Sequence, residues 1–222
     1  MTITPVARVR TCFDEKFAAP RQPGLCPSAW GELRFEPGFD SAEAVRGLEG
    51  FSHLWLLFGF HLTAGRGWSP TVRPPRLGGN ERVGVFASRS THRPNGLGLS
   101  LVALEGVEWD DGRPWLRLGG VDLVSGTLVY DVKPYIPFVE SLPDARGGYA
   151  EEKPPRLEVV GLEWLADWRE RDRALVIEAL SLDPRPAAGR AEEDRVHGAG
   201  LCGRNVRFRV CGGRVEIVGV DR

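Results

Sequence analysis

The stretch Ala87–Ser100 reads ASRSTHRPNGLGLS and lies between two apolar, strand-like runs. It packs two arginines, a histidine, an asparagine and two glycines into one connection, far more than a turn requires. Glycines at 96 and 98 let backbone amides approach a ligand closely. Arg89 and Arg93 suit a bidentate grip on anionic oxygens, and Asn95 both donates and accepts. A long hairpin braced by surface arginines is the plainer reading of the same residues. A second cluster runs from Val121 through Asp122 and Leu123 to Tyr135. In it Asp131 and Lys133 share one strand face by the period of two, and Pro134 ends the strand, leaving Lys133 and Tyr135 near its mouth. A solvated ion pair beside a turn fits those residues too. The third group is Phe13–Gly24, a proline-stiffened connection that presents Phe17, Arg21 and Gln22 at low entropic cost, or merely joins two strands. The fourth is Asp183-Pro184-Arg185-Pro186, just past a helix end, where proline also serves as a terminator.

Charge sharpens the picture. The 222 residues carry a net charge of −1, so the molecule as a whole has no nucleic-acid signature. Locally the balance differs. Arg66 to Arg93 holds six arginines against one acid, Glu81, and Arg195 to Val215 holds five arginines and no acid. Arginine's planar fork suits phosphate contact in both, although 26 Arg against 3 Lys is equally consistent with a general arginine habit. The four cysteines, at 12, 26, 202 and 211, form no C-x-x-C pair and point to free thiols rather than to zinc or a disulfide framework; no metal is expected. The N-terminus shows no signal-peptide core and no run reaches membrane-spanning length, so a cytoplasmic protein is expected.

The elements that must position these groups follow from periodicity and punctuation. Strands are read at Val6–Cys12, Ala29–Phe35, Ser52–Leu62 (apolar on both faces and aromatic-rich), Val83–Ser88, Leu99–Glu108, Trp115–Leu118, Val121–Val124 and Thr127–Val132. Asp110-Asp111-Gly112 and Ser125-Gly126 read as tight turns, and Asp40–Glu43 as the capped start of a short helix ending near Gly50. Strands joined without crossover helices exclude a parallel doubly wound sheet and leave an antiparallel barrel or sandwich. Asp144–Arg156 has linker composition. Beyond it come a strand at Leu157–Val160, a helical stretch at Leu162–Leu182, broken or well buried, and a hairpin, Asn205–Val210 with Arg214–Val220. The expected fold is therefore mainly β, with an antiparallel β-barrel over residues 1–145 and a smaller α+β domain over residues 146–222. Gly198–Gly203 matches G-x-G-x-x-G, but a strand-like run follows where a dinucleotide site needs a helix; a flexible loop is the reading there.

Several of these motifs together resemble the TrmO family of tRNA methyltransferases. They are EKFAAPRQPG at Glu15–Gly24, LEGFSHLWLLFGFH at Leu48–His61, RPPRLGG at Arg73–Gly79, GVFASRSTHRPNGLGLSLV at Gly84–Val102, VDLVSGTLVYDVKPYIPFVESLPDA at Val121–Ala145 and DPRP at Asp183–Pro186. The resemblance spans essentially the whole chain. It implies methylation of N6 of the adenosine that follows the anticodon, a base already carrying a threonylcarbamoyl group, with S-adenosylmethionine bound on a β-barrel and a homodimer as the assembly. It implies cofactor contacts by Arg89, Arg93, Pro94, Asn95 and Leu99, with Gln22, Asp122, Leu123, Lys133 and Tyr135 around the same pocket. Phe17, Arg21, Arg73 and Arg76 are expected to meet the RNA, the tRNA anticodon arm being the partner. Asp183 or Asp131 is expected to take the proton from the attacked nitrogen, with Arg185 holding a threonyl carboxylate or a phosphate. His92 receives no base role. Ala187-Ala188-Gly189 departs from relatives that have Tyr-Arg-Lys after DPRP, which removes any tyrosine contact there. Two rival readings stay open: a non-catalytic nucleic-acid-binding barrel, and an S-adenosylmethionine enzyme acting on a small molecule.

Overall fold

The computed structural model describes residues 2–186 and 192–221. The chain is mainly β. In order it forms β1 (Ala7–Thr11), β2 (Trp30–Phe35), α1 (Ala42–Val45), β3 (His53–Gly59), β4 (Thr71–Val72), β5 (Val83–Gly84), β6 (Leu97–Asp110), β7 (Arg113–Gly119), β8 (Leu128–Pro134), α2 (Pro137–Glu140), β9 (Glu158–Val160), α3 (Glu170–Ser181), β10 (His197–Leu201), β11 (Arg204–Cys211) and β12 (Arg214–Asp221). Six strands make one sheet whose pairings return on themselves, in the order β1-β2-β7-β6-β3-β8 and back to β1, every pair antiparallel. Strand alternation sends Ala7, Val9, Leu33, Leu54, Leu56, Val102, Leu116, Leu118 and Val129 inward, all essentially fully buried. The β6–β7 hairpin turns at Asp111 and Gly112, both left-handed (φ 48° and 76°), as a two-residue turn matched to strand twist requires.

Four more strands pair in the order β10-β11-β12-β9, with β9 parallel to β12 and the rest antiparallel. Helix α3 buries Leu175, Val176, Ala179 and Leu180, and one apolar cluster runs from the closed sheet through Phe13 into Leu180, Phe208 and Ile217. Polar contacts lock the two parts together. Trp30 Nε1 donates to Asp172 at 2.9 Å, Ser28 donates twice to the Glu178 carboxylate, and Arg171 grips Glu105 with two bonds of 2.8 and 2.7 Å.

Three expectations are corrected. Val83–Ser88 is a two-residue strand followed by a 3₁₀ turn at Val85–Ala87, because Val85 turns inward to be buried. Val121–Val124 is not a strand: Val121 and Leu123 are buried, and the Leu123 carbonyl accepts from a side chain, Thr11 Oγ1 of β1, at 2.7 Å rather than from a strand amide. The helical stretch 162–182 is broken, as one of its two readings has it, into a 3₁₀ turn at Leu162–Leu165 and α3. Gly198–Gly203 is not a free loop, since its first four residues lie in β10, paired with β11.

Candidate active site

The loop before β6 is built on serines and one arginine. Ser88 Oγ donates to the Val85 carbonyl at 2.8 Å and accepts from the Ser90 amide, and Ser90 Oγ accepts from the His92 amide. Such short side-chain bonds substitute for backbone turns. Arg93 points into this loop. Its Nη1 donates to the carbonyls of Ser88 (2.7 Å) and Val85 (3.2 Å), and its guanidinium lies 5.9 Å from the Phe86 ring centre. Arg93 therefore braces the loop from inside, while Pro94 and Asn95 are exposed at its tip. Arg89 is exposed and donates instead to Gln22 Oε1, joining this loop to the 13–28 connection. A side chain at Gly98 would overlap the rings of Phe58 and Phe60, so glycine there lets β6 start against that aromatic pair.

Asp122 meets the same end of the sheet from a third connection. Ser100 Oγ, buried, donates to Asp122 Oδ1 at 2.7 Å. Burial raises the carboxyl to about 6, against the pull of the Ser100 hydroxyl and the Arg89 charge. Gln22, Arg89 and Asp122 are thus brought together from three separate connections.

On the outer side of the sheet, His53, Trp55 and Leu57 of β3 pair with Ala103, Leu101 and Leu99 of β6 and form an apolar face where solvent-facing polar residues are the norm. Asp131 and Lys133 of β8 lie opposite Leu57 and Trp55. Trp55, Leu57, Leu99, Asp131 and Lys133 line a cavity of about 110 Å³. Farther along, His53, Leu101, Ala103 and Glu105 help line a second of about 200 Å³. The Trp55 indole donates to Glu140 at 2.6 Å, and Tyr135 packs edge-on to it with ring centres 6.2 Å apart. Asp131 accepts its own strand's Val132 amide through Oδ1, and its Oδ2 is 4.0 Å from Lys133 Nζ. The groove offers apolar walls, one carboxylate and one ammonium, a donor set that fits an adenosine bearing a zwitterionic chain. Sequence reasoning does not single out Trp55 and Leu57 as cofactor contacts; the two-sided apolar run of β3 is the signal for them.

Other anticipated residues lie elsewhere. Leu123 has its side chain in the core. Phe17 stacks on His197 (6.0 Å) and packs against Phe208 (6.3 Å). Arg76 donates to the carbonyls of Ala150 and Glu152, while Arg21 and Arg73 are exposed. Asp183 turns both oxygens to Arg185, at 2.8 and 3.1 Å, whereas Asp131 faces the groove. Positions 187–189 lie outside the described residues. Cys12 and Cys26 are buried and Cys211 is exposed, all four thiols being free. Among the described residues no group of three or more His, Cys, Asp or Glu is disposed to hold a metal ion, and no helix is long and apolar enough to cross a membrane.

The comparison with known proteins covers the chain from end to end. Residues 8–141 match the tRNA-methyltransferase O N-terminal domain and residues 162–222 the TrmO C-terminal domain. A tRNA (adenine(37)-N6)-methyltransferase of Escherichia coli is 48% identical, over 96% of this chain and 94% of its own length. A Pseudomonas aeruginosa protein described as a putative S-adenosylmethionine-dependent methyltransferase, RcsF, is 45% identical over 93% and 91%. The crystal structure of TrmO from Pseudomonas aeruginosa superposes with a TM-score of 0.80 at 37% identity, covering 100% of this chain and 98% of that one. By sequence and by fold, the chain belongs to the TrmO family.

Proposed function

We propose that this protein transfers a methyl group from S-adenosylmethionine to N6 of the adenosine following the anticodon of tRNA, the base carrying a threonylcarbamoyl group. One relative of nearly equal length is named a tRNA (adenine(37)-N6)-methyltransferase, and another a putative S-adenosylmethionine-dependent methyltransferase. The observation that carries the reading here is the outer groove beside the sheet end: Leu99, Asp131 and Lys133 line one cavity with Trp55 and Leu57, and the Gln22–Arg89 pair sits on the connection that leads into β6, the strand of Leu99. The closed six-stranded sheet serves as the barrel on which the cofactor rests. Residues 1–145 form that unit and residues 146–222 a second one that helps hold the RNA.

When bound, the cofactor supplies an electrophilic methyl group on a sulfonium. Trp55, Leu57 and Leu99 exclude water around it, Arg89 receives the methionine carboxylate, and Asp131 and Tyr135 face the cation. Asp131 is the better placed of the two candidate proton acceptors, because its carboxylate opens on the groove while that of Asp183 is occupied by Arg185. Positioning the weakly nucleophilic ureido nitrogen in line supplies much of the rate. The anticodon arm lies along the arginines of residues 66–82, in a cytoplasmic setting. A homodimer belongs to this reading. Phe138, 92% exposed, and the exposed Val139 and Leu142 flank in sequence Glu140, the partner of Trp55, and a second copy would cover them.

The test is mass spectrometry of nucleosides from tRNA incubated with protein and cofactor. A mass gain of one methyl on threonylcarbamoyladenosine, absent from tRNA lacking that group, is expected. No gain on either tRNA would overturn the reading.

A further inference from the structure

Two large aromatic side chains stand in solvent on the arginine-rich segment between β3 and β6: Phe86 is 76% exposed and Trp68 54%. Exposed apolar residues scattered singly are ordinary, but the fold brings these two together. The β4–β5 ribbon pairs Thr71 with Gly84 and Val72 with Val83, and one further bond runs from the Val85 amide to the Pro70 carbonyl at 2.9 Å. Trp68 lies two residues before Pro70 and Phe86 one residue after Val85, so both stand at the same end of the ribbon. Each is presented by a built turn. Gly65 and Gly67, left-handed with φ of 85° and 73°, bend the chain just ahead of Trp68. Val85 is buried, and its carbonyl accepts from the Ser88 amide, from Ser88 Oγ and from Arg93 Nη1. Phe86 is thus turned outward beside a fixed point. A ring held rigid in solvent loses little freedom when a flat partner stacks on it.

The surroundings say what that partner is. Arg93 holds its guanidinium 5.9 Å from the Phe86 ring centre, and Arg82 bonds to Thr71 at 2.9 Å. None of the six arginines from Arg66 to Arg93 is paired with an acid among the described residues; their partners are hydroxyls, amides and carbonyls. By contrast, the exposed Phe138, Val139 and Leu142 are interspersed with Glu140 and Asp144, the wrong sign for RNA. Aromatic rings flanked by arginines whose charge is not cancelled match unpaired nucleotides, whose bases offer flat faces and whose phosphates offer charge.

We propose that Phe86 and Trp68 form a stacking platform for unpaired bases of the anticodon loop that flank the target adenosine. This rests on the tRNA-methyltransferase reading above and deepens it: the arginines hold the backbone, and the two rings hold bases. Phe86 is three residues from Arg89, the partner of Gln22, so one connection carries both the platform and part of the candidate active site. Stacking tolerates any base, so the platform adds affinity and placement rather than sequence choice.

The experiment measures binding of an anticodon stem-loop, and of a duplex of its stem alone, to wild type, Phe86→Leu and Trp68→Leu over a range of salt. Thermal unfolding, cofactor calorimetry and sedimentation run alongside. Leucine keeps an apolar side chain and removes the flat face. Each variant should bind the stem-loop about tenfold more weakly, with the slope of log affinity against log salt as in wild type, since no phosphate contact is lost. Binding of the duplex, whose bases have no free face, and of the cofactor should be unchanged. In methyl transfer the loss should appear in KM, with kcat little altered. Loss in one variant alone confines the platform to that ring. Wild-type affinity of both variants for the stem-loop would overturn the platform. So would equal losses on stem-loop and duplex, or a change in oligomeric state, which would make the rings a contact between copies. Should wild type bind neither RNA, the tRNA reading itself falls and takes the platform with it.

Discussion

Two stretches of the chain are rich in arginine and poor in acid, and the fold treats them in opposite ways. In the C-terminal sheet, Arg204 pairs with Asp167, Arg207 with Asp221 and Arg209 with Glu216, while Arg195 pairs with Glu192. The acids come from outside the arginine-rich segment, two of the four from the facing strand β12, so four of the five positive charges counted along the sequence are offset by ion pairs. From Arg66 to Arg93 none of the six arginines makes an ion pair with an acid among the described residues. The groups they bond to are neutral: Thr71 for Arg82, Gln22 for Arg89, carbonyls for Arg76 and Arg93. A local run of basic residues says where phosphate contact is possible. Only the register of the neighbouring strands says whether the charge remains available for it.

The sharpest way to break this contrast is to remove one arginine from each stretch. Arg89→Ala should lower kcat/KM for methyl transfer about a hundredfold or more, the scale of losing a charge-assisted contact in a protected site, with cofactor affinity falling in parallel by calorimetry. Arg207→Ala should stay within about threefold of wild type, as expected for an exposed ion pair. Equal effects would erase the distinction between the two stretches.

Asp122 probes the same contrast from the acidic side, because Arg89 is the cation it senses. A carboxyl raised to about 6 by burial binds its proton more tightly in the folded than in the unfolded chain. Stability is therefore lost as pH rises from the unfolded value near 4 through about 6, and the cost is fully present at pH 7. Asp122→Asn keeps an acceptor for Ser100 and removes the ionisation. Relative to wild type it should gain up to about 3 kcal/mol at pH 7.5 and little at pH 4, by urea unfolding at the two pH values. A gain that is the same at both would mean that Asp122 titrates normally.

A smaller effect tests the electrostatic surface directly. Replacing Arg66, Arg73 and Arg82 together by Ala should weaken tRNA binding about tenfold at low salt. It should also flatten the dependence of log affinity on log salt by up to about two, at roughly 0.7 for each phosphate no longer neutralised. The matching triple variant of Arg204, Arg207 and Arg209 should leave that slope unchanged.

How much of this is legible in the sequence divides along the same line. Local signals survive folding. The Asp111-Gly112 turn, the Ser41-capped helix, whose cap accepts from the Ala44 amide, and the strands flanking them follow from neighbouring residues and are readable. Val121 and Leu123 mislead because an apolar alternation reports burial, not pairing; here it marks a connection packed into the core beside Thr11. The motif residues Gln22, Arg89 and Asp122 are readable as types, but that they meet depends on closing a sheet through pairs such as β1 with β8, more than a hundred residues apart. Phe17 shows the limit best. Its loop is recognisable, yet its place against His197 and Phe208 exists only once β10 and β11 have paired.

The smallest expected effect lies wholly in the neutralised stretch. Arg209 and Glu216 face each other on β11 and β12 at 2.7 Å, both substantially exposed. Each side chain gives up rotamer freedom to hold that geometry, and water screens the attraction, so the pair adds little to stability. Arg209→Ala alone leaves Glu216 in solvent, free to hydrate. The double variant Arg209→Ala with Glu216→Ala should therefore lose no more than the two single variants together. Urea unfolding of the four proteins in the cycle, at low and high salt, measures any coupling. A coupling well outside the error of the four transitions, and persisting in high salt, would mean that these arginines are held as tightly as Arg185 is by Asp183. Exposure alone would then not separate structural arginines from those left to bind.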